Sequence, residues 1–376
     1  MEGFERSTLK SLLEHFSDIE DFRASWHVAH PLPEILLLVV CATISSCDDF
    51  NEIAAWGKTH LSFLRRFLPF YHGVPCARWL NILMNRINPD LFSDCFMSWA
   101  TSLRPDLAEQ IALDGKTSRR SYDTSAGKAA LHLVSAFATH EKLVLGQEAT
   151  MEKSNEIIAI PALLERLAQS GALAGALVSV DAMGCNPRVT QRILEHGADY
   201  LVALKENQRT LLEDTKTFFN NPPDALDTHV EYDKGHGRIE KRTARVSTDV
   251  SWLACAKFKR IAVIACIESE VEKRAVTRQE RRYYISSRPM SASVFLEAVR
   301  SHWQIENALH WVLDVTFKDD LSRVRRGHGA RNMAVVRHFA INLVRNAPDK
   351  KSLKIRRKLA SWDTDYLESL FVNLSS

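Results

Sequence analysis

The chain has no C-x-x-C pair: its seven cysteines, Cys41, Cys47, Cys76, Cys95, Cys185, Cys255 and Cys266, are odd in number and scattered. That pattern excludes a disulfide framework and a zinc knuckle and leaves them as small hydrophobes of a reducing cytosol. There is no G-x-x-x-x-G-K-[ST] loop and no G-x-G-x-x-G, so neither phosphate-cradling signature of nucleotide enzymes is present. Internal repeats and low-complexity tracts are missing as well. The most apolar stretch, Ile35 to Ile44, falls far short of the ~20 residues that span a bilayer. No basic n-region with a cleavage site precedes it, so a cytoplasmic protein without membrane contact is expected.

What is present is an ordinary globular composition, 376 residues of which 45% are hydrophobic and 25% charged. That length exceeds a usual single core, and a main domain with appendages is expected. A net charge of +3 conceals an asymmetry. Residues 1–100 carry 8 Lys/Arg against 12 Asp/Glu, residues 228–290 carry 14 against 8, and residues 322–360 carry 12 against 1. A basic end of this kind suits a polyanion, with nucleic acid the leading candidate and a solvated tail the plainer alternative.

Residues 1–105 read as an N-terminal helical domain. SLLEHFSDIED is amphipathic, LPEILLLVVCATISSC follows Pro31 and Pro33 at a helix start, and DDFNEIAAWGKTHLSFLRRFLPF opens on an Asp-rich cap. Beyond Pro105 the period changes, and residues 106–223 read as the first part of a mixed α/β sheet. QIALDGKTSRRS begins as a strand expected to terminate at Asp114, and GALVSVDAMGCN contains a second buried strand ending at Asp181. Residues 224–290 are β-rich and basic and read as an insertion. Residues 291–376 contain Ala298 to Asp320, expected to be one helix with His302, Glu306 and His310 on one face at i, i+4, i+8, followed by basic helices.

Two strand-end aspartates and one helix glutamate form a specific combination. Neighbouring strands that end on one sheet edge bring Asp114 and Asp181 together, and a helix packed on that edge presents Glu306. Three carboxylates in one pocket repel unless cations neutralise them. An all-oxygen set favours Mg or Mn over zinc, and two such ions suit phosphodiester transfer. Taken singly, each residue has a plainer account: a turn or cap for either aspartate, a salt bridge to an arginine for the glutamate.

ALDGKTSRRS, EKSNEIIAIPALL, VDAMGCN, GADYLVALKENQ, GHGRIEKR and RSHWQIENALHWVLDVTFKDD, in that order, resemble the DDE transposases of bacterial insertion sequences, in the family that contains the Rhs-linked H-repeat proteins. The resemblance implies an α/β fold: an RNase H-like mixed sheet with flanking helices, a β-rich insertion before the last catalytic helix, and an N-terminal helical domain. It implies a triad of Asp114, Asp181 and Glu306 that holds two Mg (or Mn) ions. The implied reaction is cleavage of double-stranded DNA at transposon ends, then attack of the freed 3′ hydroxyl on target DNA, by a homodimer on DNA. A nuclease of the same chemistry without mobility, and a DNA-binding relic that no longer cuts, stay open as alternatives.

The wider group carries a Tyr, an Arg and a Lys around the glutamate, where this chain has Val299, His302 and Leu313. Arg300, His302 and His310 are therefore candidate auxiliaries. Phosphate contacts are expected from Lys116 and Arg119 behind the first Asp, Lys153 at a helix start, Lys205 at a strand end and Arg238 in the GHGR turn. Arg323, Arg325, Arg326 and Arg331, read as a basic helix, complete that set. Helix capping around Asn155 and Glu156, and a hairpin turn at His236, are the plainer roles for those stretches.

Overall fold

The computed structural model describes residues 7–24, 26, 28–103, 109–150, 156–222, 225–235, 238–253, 257–273 and 276–372. Six helices come first: α1 (Ser7–Ser17), α2 (Leu32–Ile44), α3 (Phe50–Thr59), α4 (Leu61–Leu64), α5 (Ala77–Met84) and α6 (Pro89–Ser102). Their boundaries follow local chemistry. Pro31 and Pro33 start α2, where a missing N–H costs nothing, and nearly every α2 side chain is buried, as its unbroken apolar run requires. Asp49 caps α3 by accepting from the N–H groups of Asn51 and Glu52, and Asn88 caps α6 ahead of Pro89.

A sheet that is nine-stranded among the described residues follows, in the order β3-β2-β1-β4-β5-β9-β8-β7-β6. Strand β1 (Gln110–Ser118) pairs antiparallel with β2 (Leu131–Ala138), which pairs antiparallel with β3 (Leu143–Thr150). On its other side β1 runs parallel to β4 (Leu177–Val180), and β4 parallel to β5 (Asp199–Leu204). Helix α7 (Glu156–Gln169) crosses from β3 to β4, α8 (Pro187–Glu195) from β4 to β5, and α9 (Arg209–Asn220) follows β5. Two antiparallel pairings followed by two parallel ones around a central β1 are the order of RNase H-like folds.

Strands β6 (Asp227–Gly235), β7 (Arg238–Ser247), β8 (Val263–Lys273) and β9 (Val276–Ser286) extend this sheet, because β9 bonds to β5 through Leu201↔Ser286 to Leu204↔Tyr283. Next come α10 (Ala292–His302), a π-helical segment (Ile305–His310), α11 (Trp311–Val315), α12 (Gly329–Arg345), α13 (Leu353–Trp362) and α14 (Thr364–Val372). No helix among the described residues is long and apolar enough to cross a membrane.

Three expectations are corrected here. Strand β1 does not end at Asp114: its β4 pairing stops at Leu113↔Val180, but its β2 pairing continues to Ser118↔Leu131. The stretch Ala298 to Asp320 is not one α-helix, since a π segment interrupts it at the glutamate. Residues 323–326 are not helical either; α12 starts at Gly329 and is the central core helix, buried along almost its whole length.

Helix α12 explains how the helical domain and the sheet form one core. Phe339 touches the rings of Phe16, Phe92, Phe96 and Trp99, centroids 4.9–5.9 Å away, all from α1 and α6. The buried Asn342 side chain accepts from the Val144 N–H and donates to the Val144 carbonyl, both at 2.9 Å, so the outer edge of β3 is satisfied beneath the helix. Asn332 donates to the Met84 and Ile87 carbonyls at the end of α5. Truncation by Phe339→Ala should therefore cost about 3–5 kcal/mol. Urea unfolding followed separately by tryptophan fluorescence and far-UV dichroism should show one shared transition at a lower midpoint. Two separated transitions would contradict a shared core.

Candidate active site

Asp114 and Asp181 are the residues immediately after the last parallel pair, Leu113↔Val180, so adjacent central strands deliver both to one place. Asp181 Oδ1 accepts from the N–H groups of Met183 (2.9 Å) and Gly184 (3.2 Å), a turn that fixes one carboxylate oxygen and leaves the other available. A Cβ on Gly184 would lie 2.1 Å from Val180 Cγ1, which is why DAMG carries glycine there. Glu306 sits in the π segment, with its neighbours Ile305 and Leu309 buried in the main core. That anchoring turns Glu306 outward, exposed between the buried His302 and the half-buried His310.

Electrostatics reports the convergence. Burial, with the charges of Asp181, Glu306 and Glu156 added to it, raises the Asp114 carboxyl to about 7, against a smaller opposing effect of the Gly115 N–H. Among the described residues no lysine or arginine forms an ion pair with Asp114, Asp181 or Glu306. Among the described residues the basic group within ion-pair distance of them is His310, whose Nδ1 lies 3.4 Å from Asp114 Oδ2. Burial, assisted by Lys116 and His132, lowers the His310 imidazole to about 4, so it is neutral near pH 7. Its Nε2 is buried without a hydrogen-bond partner.

His302 is likewise lowered to about 4 by burial, the Asp181 charge offsetting only part of the effect. Its Nδ1 lies 3.0 Å from Ser179 Oγ, and Gln110 Nε2 donates to that same oxygen and to the Ala298 carbonyl. A chain of buried polar groups thus joins β1, β4 and α10 beneath the carboxylates. Trp311 is 57% exposed, and Trp303 carries the Arg282 guanidinium over its ring at 5.1 Å. A cleft of about 670 Å³ opens beside Asp181, lined by His302, Trp303, Tyr284, Lys205 and Met183 among others.

A second acidic group lies close by and differs in one respect. Asp314, Asp319 and Asp320 hold carboxylate oxygens within 4.8 Å of one another, but the Lys116 ammonium stands among them at 2.7, 3.0 and 3.5 Å. Arg337 adds a contact to Asp319 at 2.9 Å, and these cations outweigh burial to hold the Asp319 carboxyl down at about 2. Lys116, expected at phosphate, is therefore an inward structural cation whose side chain is only 10% exposed. The physical reason is the continuation of β1, which places residues 114, 116 and 118 on one face.

The other expected contacts divide. Arg119 is 81% exposed and leans on Asp320, Arg323 and Arg326 are exposed, and Lys205 is exposed at the end of β5. Arg325 donates to the Arg120 carbonyl and covers the Tyr122 ring, tying the loop after β1 to the loop before α12. Arg331 is drawn to Asp90 at 2.7 Å, and Arg300 pairs with Glu231 and Asp233 on β6, away from the carboxylates. Lys153, Asn155 and His236, and the side chain of Arg238, lie outside the described residues. The basic C-terminal stretch also turns partly inward: buried Arg357 donates to the Thr43 and Thr316 carbonyls, and buried Arg356 to those of Val344 and Arg345.

Sequence reasoning missed a buried group behind the sheet. His132 Nε2 lies 2.7 Å from Glu156 Oε1, and Thr117 Oγ1 lies 2.7 Å from His132 Nδ1. A Cβ on Gly115 would meet Glu156 Oε1 at 2.2 Å, so the glycine after Asp114 makes room for this pair. The sequence carries no clear signal for it: DGKTSRR is an unbroken polar run that reads as a loop.

An RNase H-like sheet with acids at the ends of its central strands and a third on the closing helix sets the chain in a definite class. It belongs to the transposase DDE domain family, whose profile matches residues 105–343; the DDE_Tnp_1-associated profile matches residues 13–100. The chain is 38% identical to the H repeat-associated putative transposase YhhI of Escherichia coli (strain K12), covering 96% of this chain and 98% of that one. Identity to the putative transposase YncI of Escherichia coli O157:H7 is 36%, over 98% and 96% of the two chains. A piggyBac transposase, solved as a synaptic complex with hairpin DNA, aligns with 98% of this chain and 77% of its own at 11% identity and a TM-score of 0.39.

With divalent ions removed, the raised Asp114 pKa has a definite sign. A carboxyl whose folded pKa lies above its unfolded value adds stability below about pH 4 that is lost as pH rises through about 7. Asp114→Asn should therefore stabilise the protein in EDTA at pH 8, by on the order of 4 kcal/mol, and change little at pH 4. Thermal unfolding at the two pH values checks this, and an equal shift at both would contradict the raised Asp114 pKa.

Proposed function

We propose that the chain is a DNA transposase that cuts the ends of its own element and joins them to target DNA, with Asp114, Asp181 and Glu306 as the residues that hold Mg or Mn. The observation that carries the reading is a contrast between two acidic groups. The carboxylates of Asp314, Asp319 and Asp320 already have Lys116 and Arg337, whereas Asp114 feels the charges of Asp181 and Glu306, and none of these three forms an ion pair with a lysine or arginine among the described residues. An all-oxygen donor set with uncompensated charge fits hard divalent cations. When bound there, two such ions would activate an attacking oxygen and stabilise the leaving one.

The chain's own residues supply orientation. The Met183 and Gly184 amides hold one Asp181 oxygen, so its other oxygen faces the site without rotating. Neutral His310 beside Asp114 adds no positive charge to compete with a metal, and the Ser179–Gln110 chain fixes the His302 ring. Arg119, Arg323 and Arg326 form an exposed basic margin near β1 suited to DNA phosphates, and the cleft beside Asp181 adds Lys205. Bringing two ends together calls for two copies, so a homodimer on double-stranded DNA is part of the proposal.

Asp181→Ala should abolish Mg-dependent cleavage of an end-containing duplex while leaving DNA affinity within about twofold, since phosphate contacts carry most of that affinity. Transfer of the cut end into plasmid is expected from the wild type; cleavage without joining would indicate a nuclease, and unchanged cleavage by the variant would reject the triad. Replacing Arg323 and Arg326 together by alanine should reduce the slope of log affinity against log salt by about 0.9 per lost contact. Fluorescence anisotropy at several salt concentrations measures this, and an unchanged slope would remove both residues from the interface.

A further inference from the structure

The receptacle around Lys116 has the make-up of a cation site that the chain fills itself. Three carboxylates have ligand oxygens within 4.8 Å of one another, and Lys116 Nζ stands 2.7 Å from Asp314 Oδ1, 3.0 Å from Asp319 Oδ2 and 3.5 Å from Asp320 Oδ1. Arg337 of α12 takes the second Asp319 oxygen at 2.9 Å, and Ser118 Oγ donates to Asp319 Oδ2 at 2.6 Å. The Arg119 backbone N–H donates to Asp320 Oδ1, while the Arg119 guanidinium reaches Asp320 Oδ2 at 3.2 Å. Three acids thus face three cations.

The position of this cluster matters more than its charge balance. Along one face of β1, three alternate residues dock on the segment that continues from Glu306: Asp114 meets His310, Lys116 meets Asp314 and Asp319, and Ser118 meets Asp319. The strand carrying one proposed metal ligand is thereby registered against the stretch carrying another. Glu306 itself lies in the π segment, whose backbone has an extra residue in the turn and so depends on its flanks for a defined rotation. On the far side of the same stretch, Lys318, held at φ +51, reaches Asp48 at 2.6 Å, and Arg357 bonds the Thr316 carbonyl. Among the described residues, Lys116 is the one buried lysine or arginine that joins this stretch to the Asp114 strand by ion pairs.

We propose that Lys116 is a positioning residue: its ammonium occupies the Asp314–Asp319–Asp320 receptacle and sets the spacing of Asp114 and Glu306 for their divalent ions, without touching DNA. The proposal rests on the reading of Asp114, Asp181 and Glu306 as the metal-holding residues. Residues that orient metal ligands through one intermediary change metal affinity or activity by about 10- to 100-fold when altered. Lys116→Met keeps the length of the stem and removes the charge; Lys116→Arg restores a cation.

The test titrates the full-length, DNA-free protein with Mn²⁺ by electron paramagnetic resonance, with Asp181→Ala as the control that identifies ions of the triad. Single-turnover cleavage and DNA affinity are measured on the same preparations. Lys116→Met is expected to weaken Mn²⁺ binding at the triad by about 10- to 100-fold, to lower the cleavage rate at saturating DNA similarly, and to leave DNA affinity unchanged, with partial recovery in Lys116→Arg. Wild-type Mn²⁺ affinity in Lys116→Met overturns the proposal, and so does loss of DNA affinity with metal binding intact, which would make Lys116 a phosphate contact. Should Lys116→Met not fold, Asp320→Asn, at the open edge of the receptacle, removes one of its three carboxylates; wild-type Mn²⁺ affinity there overturns the proposal too. If the wild type itself binds no Mn²⁺ that Asp181→Ala removes, it is the metal reading of the triad that fails.

Discussion

Negative charge held close to negative charge is the constraint on which the site depends. The parallel pairing of β1 and β4 stops one residue short of Asp114 and Asp181, so strand geometry alone sets two carboxylates side by side. Burial and the added charges of Asp181 and Glu306 raise Asp114 to about 7, and carboxyls perturbed in this way cluster at functional sites. A few residues along the same strand, the chain meets an equal concentration of acid with Lys116 and Arg337. One group is filled by Lys116 and Arg337, whereas the other forms no ion pair with a lysine or arginine among the described residues.

The surrounding architecture makes that placement stiff. Helix α12 is buried between the N-terminal helices and the sheet, and it supplies Phe339 to one, Asn342 to the other and Arg337 to the acidic receptacle. Arg357 reaches the carbonyls of Thr43 at the end of α2 and Thr316 at the end of α11, favourable positions for a cation at two helix C-termini. The helical front of the chain is therefore continuous in packing with the stretch that follows Glu306.

Much of this was legible from sequence, and the failures have physical causes. Asp114, Asp181 and Glu306 stood out because an acid directly after an apolar strand, with glycine close behind, is a recognisable combination, and the ordered motifs tied them together. The central sheet with its crossover helices followed from changes of period. The continuation of β1 past Asp114 was missed because Lys116 and Ser118 look like loop residues until Asp319, some two hundred positions later, is seen opposite them. The π segment was missed because IENALH has the composition and nearly the spacing of an α-helix, and the extra residue per turn leaves no mark in apolar periodicity. Charge counting overstated the polyanion surface, since Arg337, Arg356 and Arg357 are buried and Arg331 is held by Asp90. Net charge records how many cations a segment has and not which way they point.

The central claim is that the open acidic group holds metal and the lysine-filled one does not. Anomalous scattering from crystals grown with Mn²⁺ tests it most directly. The account predicts peaks bounded by Asp114, Asp181 and Glu306, about 4 Å apart if both ions are present, and no peak among Asp314, Asp319 and Asp320. Manganese displacing Lys116 from the second group, with nothing at the first, would contradict it.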